Sequence, residues 1–131
     1  AAVAFGSGMS GGICDIRIHD CVVRGTERGI RIKSMRGRGG YVKRINVERM
    51  QMDEIEKEAI EVSMNYGSST AMPVSQKVPE FSEIRFAHIR GNHAAVGVSL
   101  CGLPESPLRE ITLEDVVIDA EDPLREEYVE K

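Results

Sequence analysis

The strongest constraint on the fold is an eight-residue apolar pattern that occurs four times along the chain. Apolar or small residues occupy positions one, three, six and eight, and a two-residue polar or small step separates the pairs. Within each pair the period is two, which indicates a strand with one buried face, and the step shifts the phase as a sharp bend would. The predicted inward sets are Ile16, Ile18, Cys21 and Val23; Ile45, Val47, Met50 and Met52; Ile84, Phe86, Ile89 and Gly91; and Ile111, Leu113, Val116 and Ile118. The steps are His19-Asp20, Glu48-Arg49, Ala87-His88 and Glu114-Asp115.

A third alternating run follows each of the first three copies, at residues 29–34, 59–64 and 95–100. The copies start 29, 39 and 27 residues apart, and the long gap holds a Gly/Ser/Pro-rich loop insertion at residues 65–80. Repetition of this kind is typical of a solenoid. Val and Ile number 13 and 12 against only 5 Leu, and β-branched residues favour strands. We therefore predict an all-β, right-handed parallel β-helix of about three full coils and a partial fourth, in one domain spanning residues 1–131.

Two segments carry local helix signals. Asp53 and Glu56 resemble a capping box ahead of residues that favour helix, whereas the repeat phase predicts a strand from Ala59 onward. Near the other end, Asp122-Pro123 resembles an N-cap followed by proline at the first helical position. We expect residues 120–131 to form a C-terminal tail or a short cap containing one amphipathic helical turn.

Charge is unevenly distributed along a chain whose formal net charge is −4. The segment from Arg24 to Arg44 contains eight cations and one acid, Glu27, so the remaining residues are strongly acidic. A protein that binds duplex nucleic acid usually spreads positive charge over a wider face, so this basic segment favours a small or polymeric carboxylate partner. No apolar window approaches 18 residues, which argues against a membrane partner.

Other site motifs in the sequence are weak. Gly6-Ser7-Gly8-Met9-Ser10-Gly11 matches a dinucleotide-binding pattern, but a β-alternating run follows where that motif requires a helix, so a turn between coils is favoured. The side chains of Cys14, His19 and Cys21 do not converge on one point as zinc ligands must. We therefore predict no metal and no cofactor, and we interpret Cys14, Cys21 and Cys101 as core thiols.

Arg31 and Lys33 are the candidate binding residues. Alternation places both on the outward face of one strand, about 7 Å apart at roughly 3.3 Å per residue. A guanidinium fork and an ammonium at this spacing can bind a sugar carboxylate and a neighbouring hydroxyl. The alternative is a pair of solvated surface charges. The equivalent outward positions are Glu61 and Ser63 in the next coil, then Gly97 and Ser99.

The sequence around this pair resembles glycoside hydrolase family 28, the polygalacturonases. The resemblance rests on Gly25-Thr26-Glu27-Arg28-Gly29-Ile30-Arg31-Ile32-Lys33, with the glycine-rich segments 6–12 and 36–40 on either side. Residues 102–107, Gly-Leu-Pro-Glu-Ser-Pro, are similar to the bacterial branch. The resemblance implies a right-handed parallel β-helix, hydrolysis of α-1,4-galacturonosyl bonds in pectin with inversion, and a galacturonate-containing polysaccharide or oligosaccharide as partner.

The resemblance also implies roles for three residues. Arg31 and Lys33 match the Arg-Ile-Lys element that binds the galacturonate carboxylate. Tyr66 resembles the substrate-contacting tyrosine of the next coil, with a loop-anchoring aromatic as the alternative. The family's Asn-Thr-Asp, Asp-Asp and Gly-His-Gly elements are not in this sequence, so no catalytic residue is assigned here. We expect a C-terminal fragment whose catalytic carboxylates lie upstream, and which is inactive alone.

Two other functions stay open at this stage. A non-catalytic β-helix, such as an adhesin or polysaccharide-binding module, would share the repeat and the basic pair. A polysaccharide lyase on the same fold would cleave by β-elimination. An exposed apolar coil at the end of the solenoid would also allow self-association. The compartment is left open between secreted or periplasmic and cytoplasmic in a bacterium, since unpaired cysteines favour a reducing environment and polymeric pectin an external one.

Overall fold

The computed structural model describes residues 3–5, 12–33, 41–64, 80–104 and 106–129. These residues form seven strands and, within the same ranges, no helix. Accordingly, the described part of the chain contains no helix able to span a membrane. The strands are β1 (Val3–Phe5), β2 (Ile13–Arg24), β3 (Ile30–Lys33), β4 (Tyr41–Asp53), β5 (Glu58–Ser63), β6 (Glu80–Cys101) and β7 (Arg109–Glu127).

The strands pair in two parallel stacks that run side by side. One stack consists of β2, β4, the first half of β6 and the first half of β7. The other consists of β1, β3, β5 and the second halves of β6 and β7. Because β6 bends and contributes to both stacks, each passage of the chain closes one coil on top of the previous one. The predicted all-β, right-handed parallel β-helix is therefore confirmed.

The register between coils matches the eight-residue pattern position by position. Ile16, Ile45, Ile84 and Ile111 are aligned partners in successive strands, and the other three inward positions form ladders in the same way. The largest almost completely buried side chains of the described residues are aliphatic, Met and aromatic, and include Phe81 and Phe86. Burying each such side chain contributes about 1.5 to 3 kcal/mol relative to exposure, so the ladders are the main source of stability.

Sharp corners separate the straight segments of each coil. The second residue of every predicted step has a left-handed backbone, with φ between 53° and 56°, at Asp20, Arg49, His88 and Asp115. A second column of such corners lies five residues earlier, at Asp15, Arg44, Glu83 and Glu110, and a third lies five residues later, at Gly25, Glu54 and His93. The predicted bend is confirmed, and two further bends per coil accompany it.

The last coil is open on one side within the described residues. The inward-facing Leu113 and the neighbouring Leu124 are 39% and 46% exposed, whereas their partners in β6 are buried. A groove of about 400 Å³ on this coil is lined by Val98, Leu113, Val116, Ile118, Pro123 and Leu124, among others. This apolar groove lies on β6 and β7, away from the basic pair on β3.

The two segments with helix signals both form strands. The chain turns after Asp53 and enters β5 at Glu58, which confirms the strand predicted from the repeat. The helical turn predicted at Asp122-Pro123 is wrong, because β7 continues through it and Leu124 pairs with Val98 of β6. Pro123 lies on the outermost described strand, the kind of edge position where proline occurs within sheets. A capping role for residues 120–131 stays a prediction, and residues 65–79 lie outside the described residues.

Candidate functional site

Arg31 and Lys33 lie on the outward face of β3. Ile30 and Ile32, which alternate with them, are fully buried, whereas both cations are half-buried. The alternation places the two cationic side chains on the same side of the strand. The predicted shared outward face is thus present in the structure.

The neighbouring coils add their own side chains to this face. Arg31 is aligned with Glu61, and Lys33 with Ser63, as the repeat predicts. In the following coil the partners of Glu61 and Ser63 are Ser99 and Cys101. The predicted partners Gly97 and Ser99 are therefore wrong by two residues, because Val98 and Leu100 of β6 pair with the buried positions of β5.

Arg31 is held by an acidic side chain of the next coil. Its Nε donates a hydrogen bond of 2.5 Å to Oε1 of Glu61. Arg28, in the turn before β3, donates from Nε to Oε2 of Glu58 at 2.8 Å, and the same nitrogen lies 3.7 Å from Oε2 of Glu61. All four side chains are between 11% and 19% exposed. Arg28, Arg31, Glu58 and Glu61 thus form one half-buried cluster, and Glu27 adds a third carboxylate that accepts a 2.7 Å hydrogen bond from Arg28.

The environment of Glu61 favours its neutral form. Burial raises the pKa of Glu61, and the nearby Glu58 carboxylate raises it further, while Arg31 and Arg28 act in the opposite direction. Cys101 lies on the same face, and burial, Glu127 and Glu61 together raise the pKa of its thiol. On this face, carboxylates and arginines therefore lie in direct contact and are largely shielded from water.

The sequence did not single out Arg28, Glu58 and Glu61 as site residues. The signal was present, since Glu61 occupies the repeat position equivalent to Arg31 and carries the opposite charge. Residues about 30 positions apart become neighbours when coils stack, so an acid at that separation is a predictable ion-pair partner.

The same stacking pairs much of the basic segment with acids. Arg24 bonds to Glu54 at 3.2 Å and Arg44 to Asp15 at 2.5 Å, both across neighbouring coils. Arg28 bonds in the same way to Glu58 at 2.8 Å. The positive charge that is concentrated in the sequence is therefore partly compensated in the fold.

The acids nearest to the basic pair in sequence are poor proton donors. Hydrogen bonds from Arg44, Arg49 and Lys57 hold the pKa values of Asp15, Asp20 and Glu27, respectively, below their ordinary range. A general acid requires a pKa near the working pH. These three carboxylates are therefore structural partners of the basic side chains.

Other predicted features fall outside the site or outside the described residues. Tyr66 lies outside the described residues, so its proximity to Arg31 stays a prediction. Cys14, Cys21 and Cys101 form no disulfide and are half-buried, so they lie at the margin of the core, against which Cys21 packs, rather than within it. Among the residues that the structure describes, no group of three His, Cys, Asp or Glu side chains could hold a metal ion.

Comparison with known proteins identifies the family. The sequence profile of glycosyl hydrolases family 28 matches residues 4–128. The chain belongs to glycosyl hydrolases family 28. This family 28 chain is 39% identical over 119 residues to a probable polygalacturonase of Vitis vinifera, which covers 90% of the chain and 24% of that relative. It is 26% identical over 108 residues to a probable polygalacturonase of Arabidopsis thaliana, and this match covers 80% of the chain and 24% of that relative.

The family 28 chain thus spans about a quarter of the length of these curated relatives. No solved structure matches it significantly. Both relatives are plant proteins, and the resemblance to the bacterial branch stays a prediction.

Proposed function

We propose that this chain is the carboxylate-binding part of a pectin-degrading glycoside hydrolase. The reaction is hydrolysis of α-1,4-galacturonosyl bonds with inversion, and the ligand is a galacturonate-containing polysaccharide or oligosaccharide. Membership of family 28 and the 39% identity to a probable polygalacturonase support the enzyme class. The observation that carries the role of this segment is the shared outward face of Arg31 and Lys33 above two buried isoleucines.

In this proposal Arg31 and Lys33 position the substrate. The Arg31 guanidinium binds a galacturonate carboxylate through charge-assisted hydrogen bonds, and the Lys33 ammonium adds a second donor. Tyr66 contacts the same sugar chain. Holding the carboxylate fixes the glycosidic bond relative to the reacting groups, which lowers the entropic part of the barrier. Proton transfer is left to carboxylates elsewhere in the enzyme.

An inverting hydrolase needs a proton-donating carboxylic acid and a carboxylate that activates water, roughly 6.5 to 9.5 Å apart. Asp15, Asp20 and Glu27 do not suit the acid role, because each has a lowered pKa and a basic partner. We therefore expect this chain alone to be inactive on polygalacturonate.

A reducing-sugar assay on polygalacturonate tests this division of labour. The assay compares the 131-residue chain with the same chain extended upstream into its gene. We expect activity only in the extended form, with inversion visible as the initial anomer of the product by proton NMR. Activity of the short chain, or a folded but inactive extended form, would contradict the proposal.

Variants of the extended form test the binding residues. Arg31→Ala and Lys33→Ala should each weaken oligogalacturonate binding by about 1.5 to 3 kcal/mol, the usual loss for a hydrogen bond to a charged group. Arg24→Ala is the matched control, because Arg24 belongs to the same basic segment but pairs with Glu54. Equal binding by all three variants would return Arg31 and Lys33 to the role of solvated charges.

A further inference from the structure

The Arg31 guanidinium already has a carboxylate partner within the fold. Glu61 accepts the hydrogen bond from Arg31 Nε, and its side chain is only 11% exposed. The two residues are direct partners in the β3–β5 register, so the contact is fixed by backbone pairing. Any carboxylate-bearing ligand that approaches Arg31 therefore meets Glu61 as well.

The charged and titratable groups around Glu61 come from every element packed against it. Arg31 lies on β3, Arg28 in the turn before β3, Glu58 on β5 and Cys101 on β6. Glu27 also accepts a hydrogen bond from Arg28 at 2.7 Å and lies 3.1 Å from Lys57. Three cations therefore balance three carboxylates, and the thiol adds no charge while protonated. A ligand carboxylate would add a fourth negative charge to this group.

Two carboxylates that share one cation at close range cannot both stay ionised without cost. One of them takes up a proton, and the one already disfavoured as an anion does so first. Burial and Glu58 already disfavour the ionised form of Glu61. A sugar carboxylate is a stronger acid in solution than a buried glutamate, so it stays ionised when the two meet.

We propose that Glu61 is a specificity-determining residue that competes with the substrate carboxylate for Arg31, so that the sugar binds together with one proton taken up by Glu61. This inference rests on the proposed function, in which Arg31 binds galacturonate. The proton comes from solvent and is released when the sugar leaves. Glu61 thereby makes binding of the anionic sugar stronger in mildly acidic solution and weak above neutrality.

NMR titration of the isotope-labelled 131-residue chain with trigalacturonate tests this inference. Amide shifts give the affinity at about pH 5 and about pH 8, where the sugar carboxylates stay ionised. The side-chain carboxyl carbon of Glu61 reports its titration midpoint with and without the sugar. The variants are Glu61→Gln, which removes the charge with little change of shape, and Glu54→Gln, the same change at an exposed corner paired with Arg24.

We expect the wild type to bind more tightly at the lower pH, by up to about tenfold for each pKa unit by which the sugar raises the titration midpoint of Glu61. The sugar should raise the titration midpoint of Glu61, as linkage requires. Glu61→Gln should bind with less than about twofold difference between the two pH values, and more tightly than wild type at the higher one. Glu54→Gln should behave like wild type.

The outcomes separate this inference from the proposed function. Binding of the sugar with an unchanged Glu61 midpoint, or a Glu61→Gln variant that keeps the full pH dependence, would overturn the competition and leave Arg31 as the binding residue. No binding by wild type at either pH would overturn both. If Glu61→Gln does not fold, as judged by far-UV circular dichroism, the wild-type midpoint alone decides.

Discussion

The left-handed corners make a sharp prediction about stability at Glu83. This residue has φ of 55°, and its carboxylate lies 3.9 Å from the guanidinium of Arg44, with both side chains about half exposed. A left-handed backbone costs an L-residue about 1 to 2 kcal/mol, and a β-branched side chain is disfavoured further. Glutamate already carries this cost, so Glu83→Val should lower the free energy of unfolding only by the extra strain of the β-branched side chain, about 1 kcal/mol. Glu83→Gly should be close to neutral, because relief of strain offsets the greater freedom of the unfolded chain.

Urea denaturation followed by far-UV circular dichroism measures both changes. The matched control is Glu121→Val, an exposed glutamate of β7 whose backbone is not left-handed. On an extended backbone valine is favourable, so this variant should be neutral or slightly stabilised. If Glu83→Val lowers the free energy of unfolding no more than Glu121→Val does, the corner imposes no conformational restriction and the reasoning is refuted.

Two further predictions concern acid stability and coil stacking. Hydrogen bonding from Arg49 lowers the pKa of Asp20 in the folded chain, so its stabilisation is complete above the ordinary value of 3.8 and is lost as the pH falls through the folded value. In Asp20→Asn the urea midpoint should therefore decrease less steeply below about pH 4 than in the wild type. An equally steep decrease in the variant and the wild type would contradict this. Gly91→Ala places a Cβ 2.5 Å from the carbonyl oxygen of Met52 and should cost about 1 to 3 kcal/mol. Gly25→Ala is the comparison, because no atom lies within 4 Å of the added Cβ but φ is +70°. This variant should lower the free energy of unfolding by about 1 kcal/mol through backbone strain alone. Equal losses of stability for the two variants in thermal melts would count against the stacking clash.

The stacking of the coils could be predicted from the sequence because the inward ladders repeat like residues. Isoleucine recurs at the first position of all four copies, and the two-residue step fixes the phase within each copy. The other two corner columns could not be predicted in the same way. Asp15 and His93 are of types enriched in the left-handed region, but most non-glycine members of these columns, such as Arg44, Glu54 and Glu83, carry no such signal.

The direction of the site side chains within one strand could be predicted from the sequence, but their contacts with neighbouring strands could be predicted less well. Alternation alone placed Arg31 and Lys33 outward. The shift of two residues in β6 was invisible, because Val96 with Val98 and Val98 with Leu100 satisfy a period of two equally well. The bond between Arg31 and Glu61 depends on a register over 30 residues, and only the stacked coils bring that pair together.

The regular spacing of the corners limits the places in this fold where residues can be inserted or deleted. Corners recur every five residues, and one inserted residue between two of them would turn an inward side chain to the outside. The differences in coil length fall instead between the end of the third strand and the next corner, as from Lys33 to Arg44 and from Ser63 to Glu83. Both connections begin after β3 and β5, the strands that carry Arg31, Lys33 and their aligned partners. Insertions and deletions there can therefore change the surroundings of the proposed sugar site over evolutionary time while the stacked core keeps its register.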